Sequence, residues 1–528
     1  MGRSSPFVVR VLACTLAGVA VWMSFPPLNA WPLAVVGVAV FTVAVRGMRV
    51  RACLGCGWLF GLGMFVPMLS FLRGLGWDAW LVLAAGEALW FALLAVAAMV
   101  VQRAPGWPLG IALLWVAQEW ARDRVPFRGF PWGRLAFGQA DGPLLPLAAI
   151  GGAVLVTLVT ALLGAVLAGL ASRRAWSRRL SVGGAVAVIA ASFGGAAAVA
   201  TPTAGTTTGG PSHVVVALVQ GNVPRLGLDE FAQRRAVTAN HLAETQALAA
   251  DVAAGRVPKP DIVIWPENAT DDDPTTDPIA RSMVERAVQA VGVPVLVGAI
   301  LDGPGPKHVR NAAIVWSPQS GPGQVYVKRH LVPFGEYLPF RSVLGRLIGR
   351  FSLIPRDFAA GHTPGVLRVG PVELADVICF EVADDAVVRQ AVSGGGRLLT
   401  VQTNNATYER IGDSGDGGET AQQLEISRLR AVEHGRAVVV AATSGVSAII
   451  APDGRVLARS GVFRPARLVM DVPLRDPRTV ADRMGSWLEH GLALAGVVWL
   501  ASTWWLRRHR RDGVPAGAEP QAQMARTS

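Results

Sequence analysis

Residues 79–101 form one apolar run, AWLVLAAGEALWFALLAVAAMVV, with Glu87 as its sole ionisable residue. A helix of about 20 apolar residues spans the hydrocarbon layer of a bilayer. Similar runs fall near 7–25, 30–46, 53–72, 106–121, 145–170 and 182–200, and an eighth, GLALAGVVWLASTWWL, occupies 491–506. In lipid the backbone must bond internally, so each run is expected to be a helix. The segment 106–121 is short and closes with Glu119 and, just beyond it, Arg122, which makes it the weakest of the set. Hydrophobic residues are 52% of the chain and charged ones 16%. Soluble domains carry about 25% charged residues, so a wholly soluble protein is excluded.

The net charge of +12 raises the question of nucleic acid, but its placement argues against that partner. Arginines gather in short blocks between apolar runs: Arg46, Arg49 and Arg51; Arg173, Arg174, Arg178 and Arg179; Arg507, Arg508, Arg510 and Arg511. Cytoplasmic loops of membrane proteins carry this excess. With Arg3 inside, both termini are expected in the cytoplasm and residues 201–485 on the opposite face. The expected organisation is a membrane domain of about seven helices (1–200), a Thr/Gly/Pro-rich linker (201–212), a polar domain (213–485), a final span (488–506) and a disordered cytoplasmic tail (507–528). The loop 122–144 breaks the charge rule with Arg122, Arg124, Arg128 and Arg134. Pairing with phospholipid phosphate and ordinary interfacial anchoring are equal readings of those arginines.

The polar domain alternates short β-branched runs with helix-like stretches. The runs are HVVVALVQ (213–220), DIVIW (261–265), VPVLVGAIL (293–301), NAAIVWS (311–317), GQVYVK (323–328), ELADVICF (373–380), RLLTVQTN (397–404), AVVVAAT (437–443) and SAIIAP (447–452). Helices are expected near 229–254, 278–291 and 419–434. Strands this continuously apolar imply sheets buried on both faces, and the helices between them imply α/β layering. Cys14, Cys53 and Cys56 lie in the apolar segments, where packing is their expected role. Cys379 is the one cysteine of the polar domain, so that domain can hold no internal disulfide.

Reactive groups of open α/β sheets gather where strands end. Glu267 follows DIVIWP, Lys328 ends GQVYV and Cys379 ends LADVI. A thiol needs a base to become a nucleophile, and attack on a carbonyl creates an oxyanion that needs a positive or hydrogen-bonding partner. Glu267 can take the proton, while Lys328 and the Phe380 N–H can hold the oxyanion. Taken singly, each residue also fits a bland role: a packed cysteine, a turn glutamate, a solvated lysine. The conjunction at three strand ends is the informative signal.

The loops around them carry a resemblance. Ile264-Trp265-Pro266-Glu267-Asn268, then Tyr326-Val327-Lys328-Arg329-His330-Leu331-Val332-Pro333-Phe334-Gly335-Glu336, then Ile378-Cys379-Phe380-Glu381 resemble the Glu-Lys-Cys motifs of the nitrilase superfamily. With the membrane spans, the chain resembles the apolipoprotein N-acyltransferases. VQGN (219–222), LVPFGEYLP, GFPW (129–132) after Glu119-Trp120, SRLRAVEHGR (427–436) and TSG (443–445) are close to that family, so the likeness covers almost the whole chain. It implies a polytopic α-helical membrane domain plus an extracytoplasmic nitrilase-like α-β-β-α sandwich. It implies Glu267 as general base, Lys328 as oxyanion-stabilising lysine and Cys379 as nucleophile. Glu336 matches a second glutamate that supports the lysine and thiol. Phe380 and Glu381 match the two residues after the nucleophile, where the family more often has Tyr-Glu. The tryptophan common after QGN is missing from PRLGLDEF (224–231).

The implied reaction moves a fatty acyl chain from a phospholipid, through a Cys379 thioester, to the N-terminal amine of a diacylglyceryl-cysteine on an apolipoprotein. The implied setting is the bacterial cell membrane, with membrane lipids as surroundings, a monomeric enzyme, no nucleic acid and no cofactor or metal. The alternative from the same residues is a membrane-tethered nitrilase-type amidase, in which water completes the second step. A third reading, a scaffold or transporter with a decayed domain, fits poorly with a complete Glu-Lys-Cys set.

Overall fold

The structure, a computed structural model, describes residues 6–170, 212–223, 230–341, 356–409 and 417–512. The first stretch is helical: α1 (Pro6–Trp22), α2 (Pro32–Ala44), α3 (Val50–Met68), α4 (Trp77–Val101), α5 (Trp107–Arg122) and α6 (Ala148–Leu170). The stretches Val50–Met68, Trp77–Val101 and Leu145–Leu170 are long and apolar enough to cross a membrane, and Phe7–Trp22 and Pro32–Ala44 are shorter apolar helices. The seventh expected span (182–200), most of the linker and the tail from 513 onward lie outside the described residues.

Small residues let these helices touch backbone to backbone, the usual basis of packing in lipid. A Cβ on Gly61 of α3 would stand 2.5 Å from Ala88 Cα of α4. Helix α5, the weakest span by sequence, is buried along most of its length. Its buried glutamate has partners inside the bundle. Glu119 accepts from Thr157 Oγ1 at 2.9 Å, from the Leu135 N–H at 2.9 Å and from Arg134 Nε at 3.3 Å.

The polar region forms two stacked sheets. One has the order β13-β1-β2-β3-β4-β5, with β6 beside β4; its strands are β1 (His213–Gln220), β2 (Ile262–Ile264), β3 (Val295–Asp302), β4 (His308–Ser317), β5 (Gly321–Val327), β6 (Asp357–Phe358) and β13 (Ala466–Pro473). The other runs β12-β11-β10-β9-β8-β7, from β7 (Val366–Val369), β8 (Val372–Ile378), β9 (Leu398–Thr403), β10 (Val438–Ala442), β11 (Ala448–Ile450) and β12 (Val456–Arg459). In each sheet three central strands run parallel and the flanking ones pair antiparallel, except β6, which runs parallel to β4.

Strand alternation distributes the layers. Val214, Val216 and Leu218 of β1 meet Leu374 and Ile378 of β8 between the sheets. Ala217 and Val219 point the other way, onto Leu242 and Leu248 of α7 (Glu230–Ala253) and Val284 and Val288 of α8 (Pro278–Val291). Behind the second sheet, Ala375 and Val377 pack with α9 (Asp385–Ser393) and α10 (Gly418–His434). The result is the expected α-β-β-α sandwich. The layer behind the second sheet shares one continuous core with the membrane helices, in which Leu424 and Val432 join Phe65, Trp115 and Trp132. A short helix, α11 (Val480–Met484), leads to α12 (Trp487–Asp512), the closing apolar segment.

Candidate active site

Three strand ends converge. Glu267 follows β2, where Trp265 N–H still bonds Leu296 O at 2.8 Å. Gly298 on β3 admits this turn: a Cβ there would stand 2.0 Å from Pro266 O. Lys328 follows β5, and its N–H donates to Asn311 O on β4 at 2.9 Å. Cys379 follows β8 and begins a tight turn, Cys379–Ala383. Its φ of +54° is a strained conformation for a residue with a Cβ, of the kind found where a functional side chain must be presented from a bend.

Around Lys328 the geometry is tight. Its Nζ lies 2.8 Å from Glu336 Oε1 and 3.3 Å from Glu267 Oε1. Asn311 Nδ2 donates to the same two carboxylates, at 2.6 Å to Glu267 and 3.1 Å to Glu336. The Asn404 N–H donates to Glu267 Oε2 at 2.8 Å, and the Val332 N–H to Glu336 Oε2 at 2.8 Å. Lys328 is buried, which opposes its charge, but the Glu267 and Glu336 carboxylates outweigh that and hold its ammonium well above the ordinary lysine range. Burial and then the Glu267 charge push the Cys379 thiol well up, with Lys328 acting in the opposite sense. The sulfur is therefore a thiol at rest and needs a base to give up its proton. Gln423 Nε2 lies 3.8 Å from Sγ.

Glu381, fully buried, ties two of the strand ends together. Its Oε1 accepts the N–H groups of Arg329 (2.7 Å) and His330 (3.0 Å), just after Lys328. Its Oε2 accepts Tyr326 Oη and the Ile378 N–H, both at 2.8 Å, just before Cys379. Burial pushes this carboxyl up, against the pull of the backbone N–H groups. Phe380 packs its ring against the loop after α5, with centroids 5.6 Å from Phe130 and 6.0 Å from Trp132, nearly parallel to the latter. The ring alone makes that contact, with no hydroxyl required.

The structure thus brings all six sequence-derived residues, Glu267, Lys328, Cys379, Glu336, Phe380 and Glu381, to one place. Asn311, Asn404 and Gln423 went unnoticed in the sequence. Asn311 had a signal, as the polar residue opening the otherwise apolar run NAAIVWS. The arginines of 122–134 pair within the protein: Arg122 with Glu87 at 3.4 Å, Arg124 with Glu489 at 2.6 Å, Arg134 with Asp385 at 2.7 Å. Arg128 donates to Arg329 O at 3.1 Å. Within the protein, largely buried carboxylates take up the charge of Arg122, Arg124 and Arg134, an arrangement that neither reading of these arginines anticipated.

A thiol beside a Glu–Lys pair, on an α-β-β-α sandwich, is the arrangement of the carbon–nitrogen hydrolase class, here built onto a helical bundle. Residues 215–481 match the carbon-nitrogen hydrolase family, and residues 17–166 match the apolipoprotein N-acyltransferase N-terminal domain. The apolipoprotein N-acyltransferase of Mycolicibacterium smegmatis is 42% identical over 498 residues, 91% of this chain and 82% of that protein. The one from Azotobacter vinelandii is 29% identical over 541 residues, 97% and 98% of the two chains. Among solved structures, an amidase from Nesterenkonia sp. aligns with a TM-score of 0.37 at 22% identity, covering 52% of this chain and 93% of that one. The chain belongs to the apolipoprotein N-acyltransferase family.

Proposed function

We propose that the enzyme acylates the N-terminal amine of diacylglyceryl-cysteine lipoproteins in two half-reactions, with phospholipid as donor. In the first, Glu267 takes the Cys379 proton as the sulfur attacks the donor ester. Lys328 stabilises the oxyanion, lysophospholipid leaves with the proton, and a thioester remains. In the second, the lipoprotein amine attacks the thioester and the thiol is restored. Glu336 and Asn311 hold the lysine, and Glu381 holds the lysine and thiol strand ends in register. The thiol's elevated proton affinity suits this scheme: the proton moves to Glu267 only when a carbonyl is ready to be attacked.

The observation that carries the reading is the 3.3 Å approach of Lys328 Nζ to Glu267 Oε1 beside Cys379, in a site whose walls are shared with the membrane helices. Gln422 of α10 donates to Met68 O at the end of α3 (2.9 Å) and accepts from Trp132 Nε1 (2.7 Å). Both substrates are held in the bilayer by acyl chains, each buried methylene contributing about 0.8 kcal/mol. A site against the membrane surface need not extract them. Family membership favours this chemistry over amide hydrolysis. The arginine distribution favours residues 213–485 as a catalytic domain outside the cytoplasm, with both termini inside.

Mass spectrometry of the purified protein offered phospholipid tests the proposal. The expected result is a hydroxylamine-sensitive acyl adduct on Cys379, missing in Cys379→Ala and blocked in Glu267→Gln and Lys328→Ala. An undiminished adduct in either of the last two would remove that residue from the mechanism. Release of free fatty acid alone, with no transfer to a diacylglyceryl peptide, would favour the hydrolase.

A further inference from the structure

A second buried carboxylate stands beside the thiol. Glu419, in the first turn of α10, is 4% exposed. Among the described residues its carboxylate takes one hydrogen bond, from Asn405 Nδ2, and forms no ion pair. Asn405 Nδ2 also lies 3.4 Å from Gln423 Oε1, and Gln423 Nε2 lies 3.8 Å from Cys379 Sγ. Two amide side chains thus join Glu419 to the sulfur. Its neighbour in this network, Asn404, donates its N–H to Glu267 Oε2, so adjacent asparagines hold one carboxylate each.

Among the described residues no cation pairs with this buried acid, and such a group is costly and calls for a reason. The charged and titratable groups facing Glu419 are Glu409 and Glu267, which oppose its ionisation, Lys328, which favours it, and the Cys379 and Tyr408 side chains. Burial is the largest influence, and the carboxyl is pushed up to about 8. Lys328 is already engaged by Glu267 and Glu336. Glu419 also lies on the membrane side of the site. Gln422, in the same turn region, bonds Met68 O and Trp132, and Tyr408 packs edge-on against Phe71 at 5.7 Å.

We infer that Glu419 binds the α-ammonium of the acceptor and removes its proton before the amine attacks the thioester. This rests on the two-step reading above. The N-terminus arrives as R–NH3+, and one proton passes to Glu419 in its ionised form, whose share rises as pH approaches about 8. The neutral amine forms the C–N bond as the C–S bond breaks, and the thiolate leaves beside Lys328. The second amine proton returns to sulfur through Glu267, and Glu419 releases its proton to water. An ordinary α-amine titrates at about 7.7–8.0. A carboxyl matched to that range exchanges the proton with little driving-force penalty. With Glu419 taking the ammonium proton, Glu267 is left for the thiol proton.

A phosphatidylethanolamine headgroup presents the same primary ammonium, so the test separates the two sources. Full-length enzyme in vesicles is loaded from phosphatidylglycerol or phosphatidylethanolamine, the thioester is quantified, and a diacylglyceryl peptide is then added for a single turnover. Glu419→Gln is expected to form the thioester at the native rate from both lipids. Its transfer step should be about a hundredfold slower at pH 7, the loss expected for a general base. The native rise in transfer rate toward pH about 8 should vanish in the variant. Native-rate transfer by Glu419→Gln overturns the inference, as does slowed loading from the ethanolamine lipid alone, which would assign Glu419 to the donor. No thioester in the native enzyme would instead remove the two-step reading. If the variant loads from neither lipid, the native enzyme decides. A peptide with a dimethylated N-terminus, which keeps its charge and one N–H but cannot be acylated to a stable amide, should inhibit transfer about tenfold more strongly than a neutral N-acetyl peptide, the value of one charge-assisted contact. Equal inhibition overturns the assignment.

Discussion

Arg134, on the loop after α5, and Asp385, the first residue of α9, form a 2.7 Å ion pair with both side chains largely buried. Arg430 of α10 reaches the same carboxylate at 2.6 Å. The two guanidinium groups hold Asp385 well below the usual carboxylate range despite its burial. Arg134 also meets Glu119 of α5 at 3.3 Å, so one side chain links the helical bundle to the sandwich. Removing one partner of a buried pair strands the other charge and costs about 3–5 kcal/mol. Arg134→Ala should lower the thermal midpoint in detergent by several degrees. Arg124→Ala breaks a pair whose arginine is 36% exposed, and should cost about 1 kcal/mol or less. Equal losses in the two melts would refute the difference in burial as the cause.

Asn311 donates to both Glu267 and Glu336 and keeps the carboxylates apart from each other around Lys328. Asn311→Ala should slow thioester formation by about tenfold to a hundredfold, the range for loss of one buried, charge-assisted contact. Asn311→Asp adds a third negative charge and should be worse. Burst kinetics with a fluorescent phospholipid would measure both.

The Cys379 thiol is pushed up by burial and by the Glu267 charge. Alkylation of the resting enzyme should therefore keep rising with pH beyond the ordinary thiol range. Glu267→Gln removes one cause of the shift and leaves Lys328 in place. Its alkylation profile should move to lower pH while acyl transfer is lost. Iodoacetamide labelling followed by peptide mass spectrometry gives the profile, and an unmoved midpoint would show that Glu267 does not set the thiol.

Glu419 carries a sign that stability can read. Its folded value of about 8 lies above the ordinary 4.5, so between these the native state holds a proton that the unfolded chain has released. Stability from this group is undiminished below pH 4.5 and is lost as pH rises toward about 8. Glu419→Gln is free of that penalty. Its melting temperature relative to the native protein should climb across the window and level off above it.

Much of this was legible in the chain. Apolar length located the described helices of the bundle within a few residues, because lipid leaves the backbone no other way to bond. Continuous apolar strands and the residues at their ends located Glu267, Lys328 and Cys379. Less legible were β7, β12 and β13, and the short α9. Strands β12 and β13 are half-exposed and carry Arg455-flanked or Arg467-bearing sequences that read as loop. Asn405, Gln423 and Glu419 escaped notice for a different reason. They act as a set only because a strand end and a helix start are brought together, and neither local pattern hints at the other. The arginines of 122–134 were visible but their partners were not, since the acids that receive Arg134 and Arg124, Asp385 and Glu489, lie more than 250 residues away.

Glu381 takes donors from the end of β5 and from the end of β8, one strand in each sheet. The gap between ammonium and sulfur is thus gauged by the stacking of two sheets, as rigid a ruler as a protein offers. Substrates that differ in bulk would then have to be accommodated at the rim, leaving the spacing at the centre in calibration.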